Sequence, residues 1–256
     1  MSKCALCLAI PADKRNSHII PKFLCKSLFH KEPYRHAVSV TRGLKLSKIQ
    51  DTPKEDYLLC SGCEQRMSII ESVFARYFDQ IHSYKTNKSV IQYVKAGNYL
   101  ICNHINPTLF KLFIYSILWR LSRCSLEAFK SFKFEDEIEE ELRVFINDNL
   151  KSTKQELISN LQFISWYPLY ELCLLKPENR LYPPRSFMSA YSFNQEQHLV
   201  MFSEFSLFVA TRENVLNQVL EFYSNKQNND VIIGMGKEDA WDYFNDMLLS
   251  KFRQSI

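Results

Sequence analysis

Two Cys-x-x-Cys pairs, Cys4-Ala-Leu-Cys7 and Cys60-Ser-Gly-Cys63, constrain this chain more than any other feature. Each pair places two thiolates within reach of one metal ion, and zinc is satisfied by four such ligands in a tetrahedron. An ion shared by both pairs requires the intervening chain to fold back on itself. A redox dithiol is the competing reading of one pair alone, but two pairs of matching spacing favour a shared, structural Zn2+. Metal binding would also supply folding energy to Phe29–Tyr57, a polar stretch that reads as loop-rich with little core of its own. The other four cysteines, Cys25, Cys102, Cys124 and Cys173, stand singly and read as small core hydrophobes.

With 256 residues, 46% of them hydrophobic, the chain can bury one large or two small cores, which excludes general disorder. The most apolar run, Leu109 to Leu121, contains Lys111 and Arg120 and falls short of the roughly 20 residues a bilayer span needs, so it reads as a buried helix. The first residues lack the apolar core of a signal peptide, and disulfides are disfavoured in the cytosol, so a cytoplasmic protein with reduced cysteines is expected. A net charge of +4 permits nucleic-acid binding without requiring it. Bases outnumber acids from Lys3 to Lys54, through Lys14, Arg15, Lys22, Lys26, Lys31, Arg35, Arg42, Lys45 and Lys48, whereas Glu135 to Glu141 is acidic. Those lysines read equally well as a solvated surface.

Asn106-Pro107 predicts a helix start, with Asn as cap and Pro in the first turn. Leu109, Leu112, Phe113, Ile117, Leu121 and Cys124 recur at helical spacing, and Phe110, Ile114 and Leu118 fill a second face, which marks a central core helix. A second helix is expected over Glu135–Asn149, with Ile138, Leu142, Phe145 and Ile146 turned inward. Thr153 and Glu156 have capping-box spacing. Phe163–Leu175 and His198–Thr211 suit strands, with Pro183-Pro184 breaking the chain between them. Glu213–Tyr223 and Glu238–Phe252 look helical, the latter with an apolar stripe of Trp241, Phe244, Met247, Leu248 and Phe252.

Between the cysteine pairs lies Ser17-His18-Ile19-Ile20-Pro21-Lys22-Phe23, and around the second pair Leu58-Leu59-Cys60-Ser61-Gly62-Cys63-Glu64-Gln65-Arg66-Met67-Ser68, followed by Glu71. Carried on these residues, the chain resembles the HNH-like (ββα-metal, treble-clef zinc) endonucleases, and within them a group of bacterial HNH-like proteins. Ser116–Ser122 and Glu141-Leu142-Arg143 resemble helical motifs of the same group. The resemblance covers the first 80 residues specifically and the helical middle loosely. It implies a zinc-bound ββα or treble-clef-like module over residues 1–80. The residues that follow read, from their own patterning, as a body over 81–256, mainly helical with a small C-terminal β-sheet, which makes the chain α+β. The size of that body points to substrate choice, regulation or assembly. The resemblance also implies His18 as general base and a catalytic Mg2+ or Mn2+ near Glu64 and Glu71, with nucleic acid, DNA foremost, as the partner. Lys22 and Arg66 are the candidate phosphate contacts, and Tyr57 and Phe23 are candidates for base stacking or for packing. A role in defence against phage is implied by the same group, and a protein partner for the C-terminal body is a further expectation.

The sequence departs from the family pattern at two places. Ser17 stands where an acid or His ordinarily precedes the base, and Glu64 stands where Asn or His ordinarily follows the last cysteine; no residue clearly fills the middle Asn position. These departures leave open a non-catalytic zinc-dependent module that binds nucleic acid or protein, and a purely structural subunit. His30, His36, His82, His104 and His198 have no partner recognisable from spacing, and no Gly-rich phosphate loop, G-x-S-x-G or H-E-x-x-H occurs.

Overall fold

The computed structural model describes residues 2–29, 37–41, 45–178, 187–213, 215–216, 218–225 and 230–237. The short elements come first: β1 (Ser17–His18), α1 (Lys26–Phe29), β2 (Ala37–Thr41), β3 (Lys45–Ile49) and β4 (Lys54–Glu55). β1 pairs antiparallel with β4, and β2 with β3. The stretch expected to be loop-rich thus contains a two-stranded hairpin, which its polar composition concealed.

Helix α2 (Ser61–His82) follows directly from the second cysteine pair. Its Cys63, Met67, Ile70, Phe74, Phe78 and Ile81 recur every three or four residues and are buried, so one stripe faces the core. Helix α3 (Pro107–Arg123) starts as the sequence predicts: the Asn106 side chain accepts the Leu109 N–H, and Pro107 sits where no N–H is needed. Every α3 residue from Leu109 to Ser122 is buried. Phe113 of α3 stacks on Phe74 of α2 with ring centroids 4.1 Å apart, and Phe23 lies 6.0 Å from both Phe78 and Phe113. Phe23 therefore packs, one of the two uses read from the sequence. No helix among the described residues is long and apolar enough to cross a membrane.

Helix α4 (Asp136–Asn149) buries Leu142, Phe145 and Ile146 and leaves Ile138 half-buried. Helix α5 (Lys154–Asn160) carries the capping box expected at Thr153 and Glu156. The remaining strands are β5 (Gln92–Val94), β6 (Tyr99–Cys102), β7 (Glu171–Pro177), β8 (Phe187–Ser192), β9 (Gln197–Ser203), β10 (Phe205–Ala210) and β11 (Val231–Gly236), with the short helix α6 (Gln218–Phe222) before the last. All seven join one mixed sheet in the order β5-β6-β11-β7-β10-β9-β8. Only the β11–β7 pairing among them is parallel. The small C-terminal sheet expected from the sequence is therefore larger, and it draws β5 and β6 from between α2 and α3. Alternate residues of its central strands serve two cores: Leu172, Leu174, Val200, Leu207 and Val209 face the helices, while Cys173, Leu175, Leu199, Met201 and Phe208 meet Leu216 on the other face. The Glu238–Phe252 stripe, Pro183-Pro184, His30, His36, Lys31, Arg35 and Arg42 lie outside the described residues.

One hydrophobic cluster runs from Cys4 and Ile20 through α2 and α3 to Met235. Helix α2 carries the second cysteine pair at its N-terminus, and its buried stripe belongs to the same cluster as α3 and the helix-facing side of the sheet.

Candidate metal centre and histidine site

The first cysteine pair sits on a tight knuckle. The Leu8 N–H donates to the Cys4 carbonyl and the Cys4 N–H to the Ile10 carbonyl, while Leu8 takes a positive φ of 56° to close the turn. The Ala5 N–H donates to the Leu58 carbonyl, and the Lys14 N–H to that of Leu59, which lashes the knuckle to the segment leading into the second pair. There Cys60 is the N-cap of α2: its Sγ accepts the Cys63 N–H at 3.4 Å, while Asp13 accepts the Ser61 N–H at 2.6 Å. One end of α2 thereby delivers Cys60 and Cys63 to the same point as the knuckle.

The four sulfurs of Cys4, Cys7, Cys60 and Cys63 all lie within 4.8 Å of one another, and Cys7 and Cys60 are 4.0 Å apart. A tetrahedral zinc site with bonds of about 2.3 Å has edges of roughly 3.8 Å, so the cluster fits such an ion. The thiols compete for charge: the bond from Cys63 draws the Cys4 thiol down to about 4, and the same contact, with burial, pushes Cys63 up. A divalent cation relieves that competition by accepting all four as thiolates. The cluster can hold a metal such as zinc. Of the single cysteines, Cys25, Cys102 and Cys173 are buried and Cys124 half-buried. Burial pushes the Cys102 thiol up to about 12 and Cys124 to about 11, as expected of packing residues.

Beside this cluster, β1 presents Ser17 and His18, in register with Glu55 and Lys54 of β4. The Ser17 hydroxyl, fully buried, donates to Glu64 Oε2 at 2.9 Å. Glu64 lies in the first turn of α2, one residue beyond the last cysteine. His18 Nδ1 lies 2.6 Å from the buried Thr52 hydroxyl, and Nε2 has no partner among the described residues. Burial lowers the His18 pKa; Asp51 and Glu64 oppose that, while Lys54 and Lys22 reinforce it. Asp51 bridges Lys54 at 2.9 Å and Lys22 at 3.4 Å. Partial burial would raise its carboxyl, but the Lys54 and Thr52 hydrogen bonds and the charges of Lys54 and His18 outweigh it and hold it at about 2.

The strand pair is anchored from behind by Arg120 of α3, which is essentially fully buried. Its Nη1 donates to the His18 carbonyl at 2.8 Å, its Nε to Ser116 at 3.1 Å, and its Nη2 forms an ion pair with Glu71 at 2.7 Å. The structure therefore brings Ser17, His18 and Glu64 together and joins Glu71 to Arg120. Burial raises the Glu71 carboxyl, against the pull of Arg120. Arg66 also turns inward: its guanidinium donates to Cys63 Sγ and to Asn147, so its donors are spent inside the protein instead of forming the open phosphate contact expected from its neighbourhood. Lys22 keeps about half its side-chain surface exposed. Tyr57, at a positive φ of 61°, is exposed, with the Arg15 guanidinium 5.7 Å from its ring centroid.

Sequence reasoning missed Asp51 and Thr52, which reach His18 only because β4 folds back onto β1; the string Asp51-Thr52-Pro53 carries no periodic signal. Three histidines without visible partners have them here: His82 meets Glu204, His104 the Val90 carbonyl, and His198 the Ser192 hydroxyl. Comparison of the chain with protein-family models, curated proteins and solved structures returns no match.

Proposed function

We propose that residues 1–80 form a zinc-stabilised ββα-metal module of the HNH-like kind, and that the chain hydrolyses nucleic-acid phosphodiesters with His18 as general base. The observation that carries this reading is the 2.6 Å contact between His18 Nδ1 and the buried Thr52 hydroxyl, with Nε2 left unpartnered and Glu64 alongside. With the proton on Nδ1 donated to Thr52, the lone pair on Nε2 is available to take a proton from water. The lowered pKa keeps the ring neutral, and so competent as a base, at neutral pH. The water oxygen then bonds to phosphorus as the P–O bond to the leaving sugar oxygen breaks, and that oxygen takes up a proton from solvent. The imidazolium formed is stabilised by Asp51 and Glu64.

Glu64 is the carboxylate that would hold a hard divalent ion, Mg2+ or Mn2+, which supplies charge stabilisation at the phosphate when bound. Such an ion keeps several waters and needs only one or two carboxylates, which suits a site with this single acid in the α2 first turn. Lys22 and Lys54, whose charges act on His18 and which pair with Asp51, would be the contacts to phosphate. Glu71, held by Arg120, serves as support. A place in bacterial anti-phage defence follows from the family resemblance alone and belongs to the same proposal.

A second reading has an observation in its favour. Glu64 already accepts the Ser17 hydroxyl, and Ser17 replaces an ordinary ligand with a weak one. A module that grips nucleic acid or protein without cutting would look the same. The deciding experiment is cleavage of plasmid, linear and single-stranded substrates with magnesium or manganese, wild type beside His18→Ala, with zinc content measured on both. Loss of about 10²–10⁴ in rate with zinc retained supports the nuclease. A zinc-loaded wild type that binds but cuts nothing supports the second reading.

A further inference from the structure

Two arginines connect the cysteine cluster to helix α4, and neither is part of the histidine site. Arg66 lies one turn beyond Cys63 on α2. Its Nη2 donates to Cys63 Sγ at 3.2 Å and to Asn147 Oδ1 at 2.9 Å, and its Nη1 donates to the Asn147 carbonyl at 2.8 Å and the Leu150 carbonyl at 3.4 Å. Asn147 lies in the last turn of α4 and Leu150 is its C-cap, so the guanidinium fills the place where carbonyls lack intrahelical partners and the helix dipole is negative. Arg143, also on α4, is held rigid by two 2.7 Å bonds to Glu140 and donates from Nη1 to the Leu6 carbonyl at 2.7 Å. Leu6 stands between Cys4 and Cys7 on the knuckle. One arginine thus touches each half of the cluster, and both lead to the same helix.

We propose that Arg66, with Arg143, couples metal occupancy of the four-cysteine cluster to the docking of α4, so that the metal holds the helical body in place as well as the module. The inference rests on the reading that the four cysteines bind a metal. Four thiolates around one divalent cation leave two negative charges in excess, close to a guanidinium already shared with the negative end of α4. A charge-assisted N–H···S bond is stronger to a thiolate than to a neutral thiol, so loading strengthens the contact through which Arg66 also holds Asn147. Removing the metal takes away that excess charge and weakens the contact to Cys63, while the bonds to Asn147 and Leu150 remain. Arg66 is a positioning residue in this scheme: it fixes the Cys63 sulfur and ties it to the last turn of α4.

Two measurements on the full chain test the coupling. The first is hydrogen exchange of the wild type before and after chelation of its metal, comparing the amides of residues 146–150 with those of β9 and β10. The expected result is exchange at least about tenfold faster in the last turn of α4, with β9 and β10 unchanged. Unchanged exchange at 146–150, or equal acceleration everywhere, overturns the proposal. The second is zinc affinity by competition with a chromophoric chelator. Arg66→Gln is expected to weaken zinc by about 10–100-fold, the usual effect of losing a group that orients a metal ligand, and Arg66→Lys to fall between it and wild type. Wild-type affinity in both variants overturns the role of Arg66 while leaving the metal site standing. A wild type that purifies without metal and takes up no added zinc overturns the metal reading and the coupling with it.

Discussion

The buried Arg120–Glu71 pair gives the sharpest quantitative test. Arg120 comes from the centre of α3 and serves three acceptors at once: the Ser116 carbonyl, the His18 carbonyl and the Glu71 carboxylate. Breaking a buried ion pair by removing one partner ordinarily costs about 3–5 kcal/mol, mostly because the other charge is stranded. Glu71 keeps about a fifth of its side-chain surface exposed, which lets water relieve part of that cost. The low end, about 3 kcal/mol, is therefore expected for Arg120→Met. Glu71→Leu strands Arg120, but the arginine keeps two carbonyl partners, so about 2 kcal/mol is expected. Arg120→Met with Glu71→Leu strands no charge, and the double variant should cost no more than about 3 kcal/mol, giving a coupling near 2 kcal/mol. Urea unfolding at pH 7 followed by tryptophan fluorescence supplies the four free energies. A pH series adds a sign. Burial already raises the Glu71 carboxyl, and without Arg120 it rises further, so the folded state of Arg120→Met binds a proton more readily than the unfolded chain. Its deficit should be largest at pH 7 and shrink as pH falls toward the unfolded value of 4.5. Additivity within about 0.5 kcal/mol, or a deficit that grows in acid, would refute the argument.

Three further perturbations have definite outcomes. Thr52→Val removes the hydroxyl that fixes the His18 ring, and any cleavage should fall about tenfold, with the zinc content of the protein unchanged. Burial between Phe132 and Phe134 holds the His198 pKa at about 4, below the unfolded 6.5, so its contribution is complete above pH 6.5 and is lost as pH falls toward 4; at most about 3 kcal/mol is at stake, and urea midpoints of His198→Gln should show a weaker acid dependence than wild type. Gly234→Ala places a Cβ 2.4 Å from Leu175 Cδ2 and 3.0 Å from Tyr223 Cγ, and should destabilise by about 1–3 kcal/mol in the same unfolding assay, whereas a neutral outcome would mean that the Leu175 side chain swings clear.

What could be read in advance tracks how local the physics is. Asn106-Pro107 and the Thr153/Glu156 box are caps whose partners lie three residues away, and both appear where expected. The cysteine pairs were visible because a metal demands a fixed ligand chemistry at short spacing, whatever the fold between them. The β2–β3 hairpin was hidden because its two five-residue strands lie in a stretch that is polar as a whole, and β5 and β6 because three- and four-residue strands carry almost no alternation. At the histidine site, His18 stood out by its neighbours in the chain. Thr52 and Arg120, which hold it, are 34 and 102 residues away and become its partners only through tertiary contact. Arg66 shows the same limit: its place beside a conspicuous motif is legible, while its bonds to a helix 81 residues away are not.

The place of β11 in the sheet has a consequence for how the chain is made. β11 is the last described strand in sequence, yet it sits between β6 and β7 and completes both. Until Val231–Gly236 leaves the ribosome, β6 and β7 each carry an open edge in what becomes the middle of the sheet. The cysteine knuckle, α2, α3 and α4 touch one another directly and precede β7 in the chain, so they can begin to assemble earlier. Synthesis should thus produce a nascent chain with ordered helices and a sticky, unfinished sheet, dependent on Val231–Gly236 to cover two exposed edges. Stop codons placed just before Val231 should convert a well-behaved protein into one that recruits chaperones or aggregates, whereas Gly236 followed by a stop should keep both edges covered.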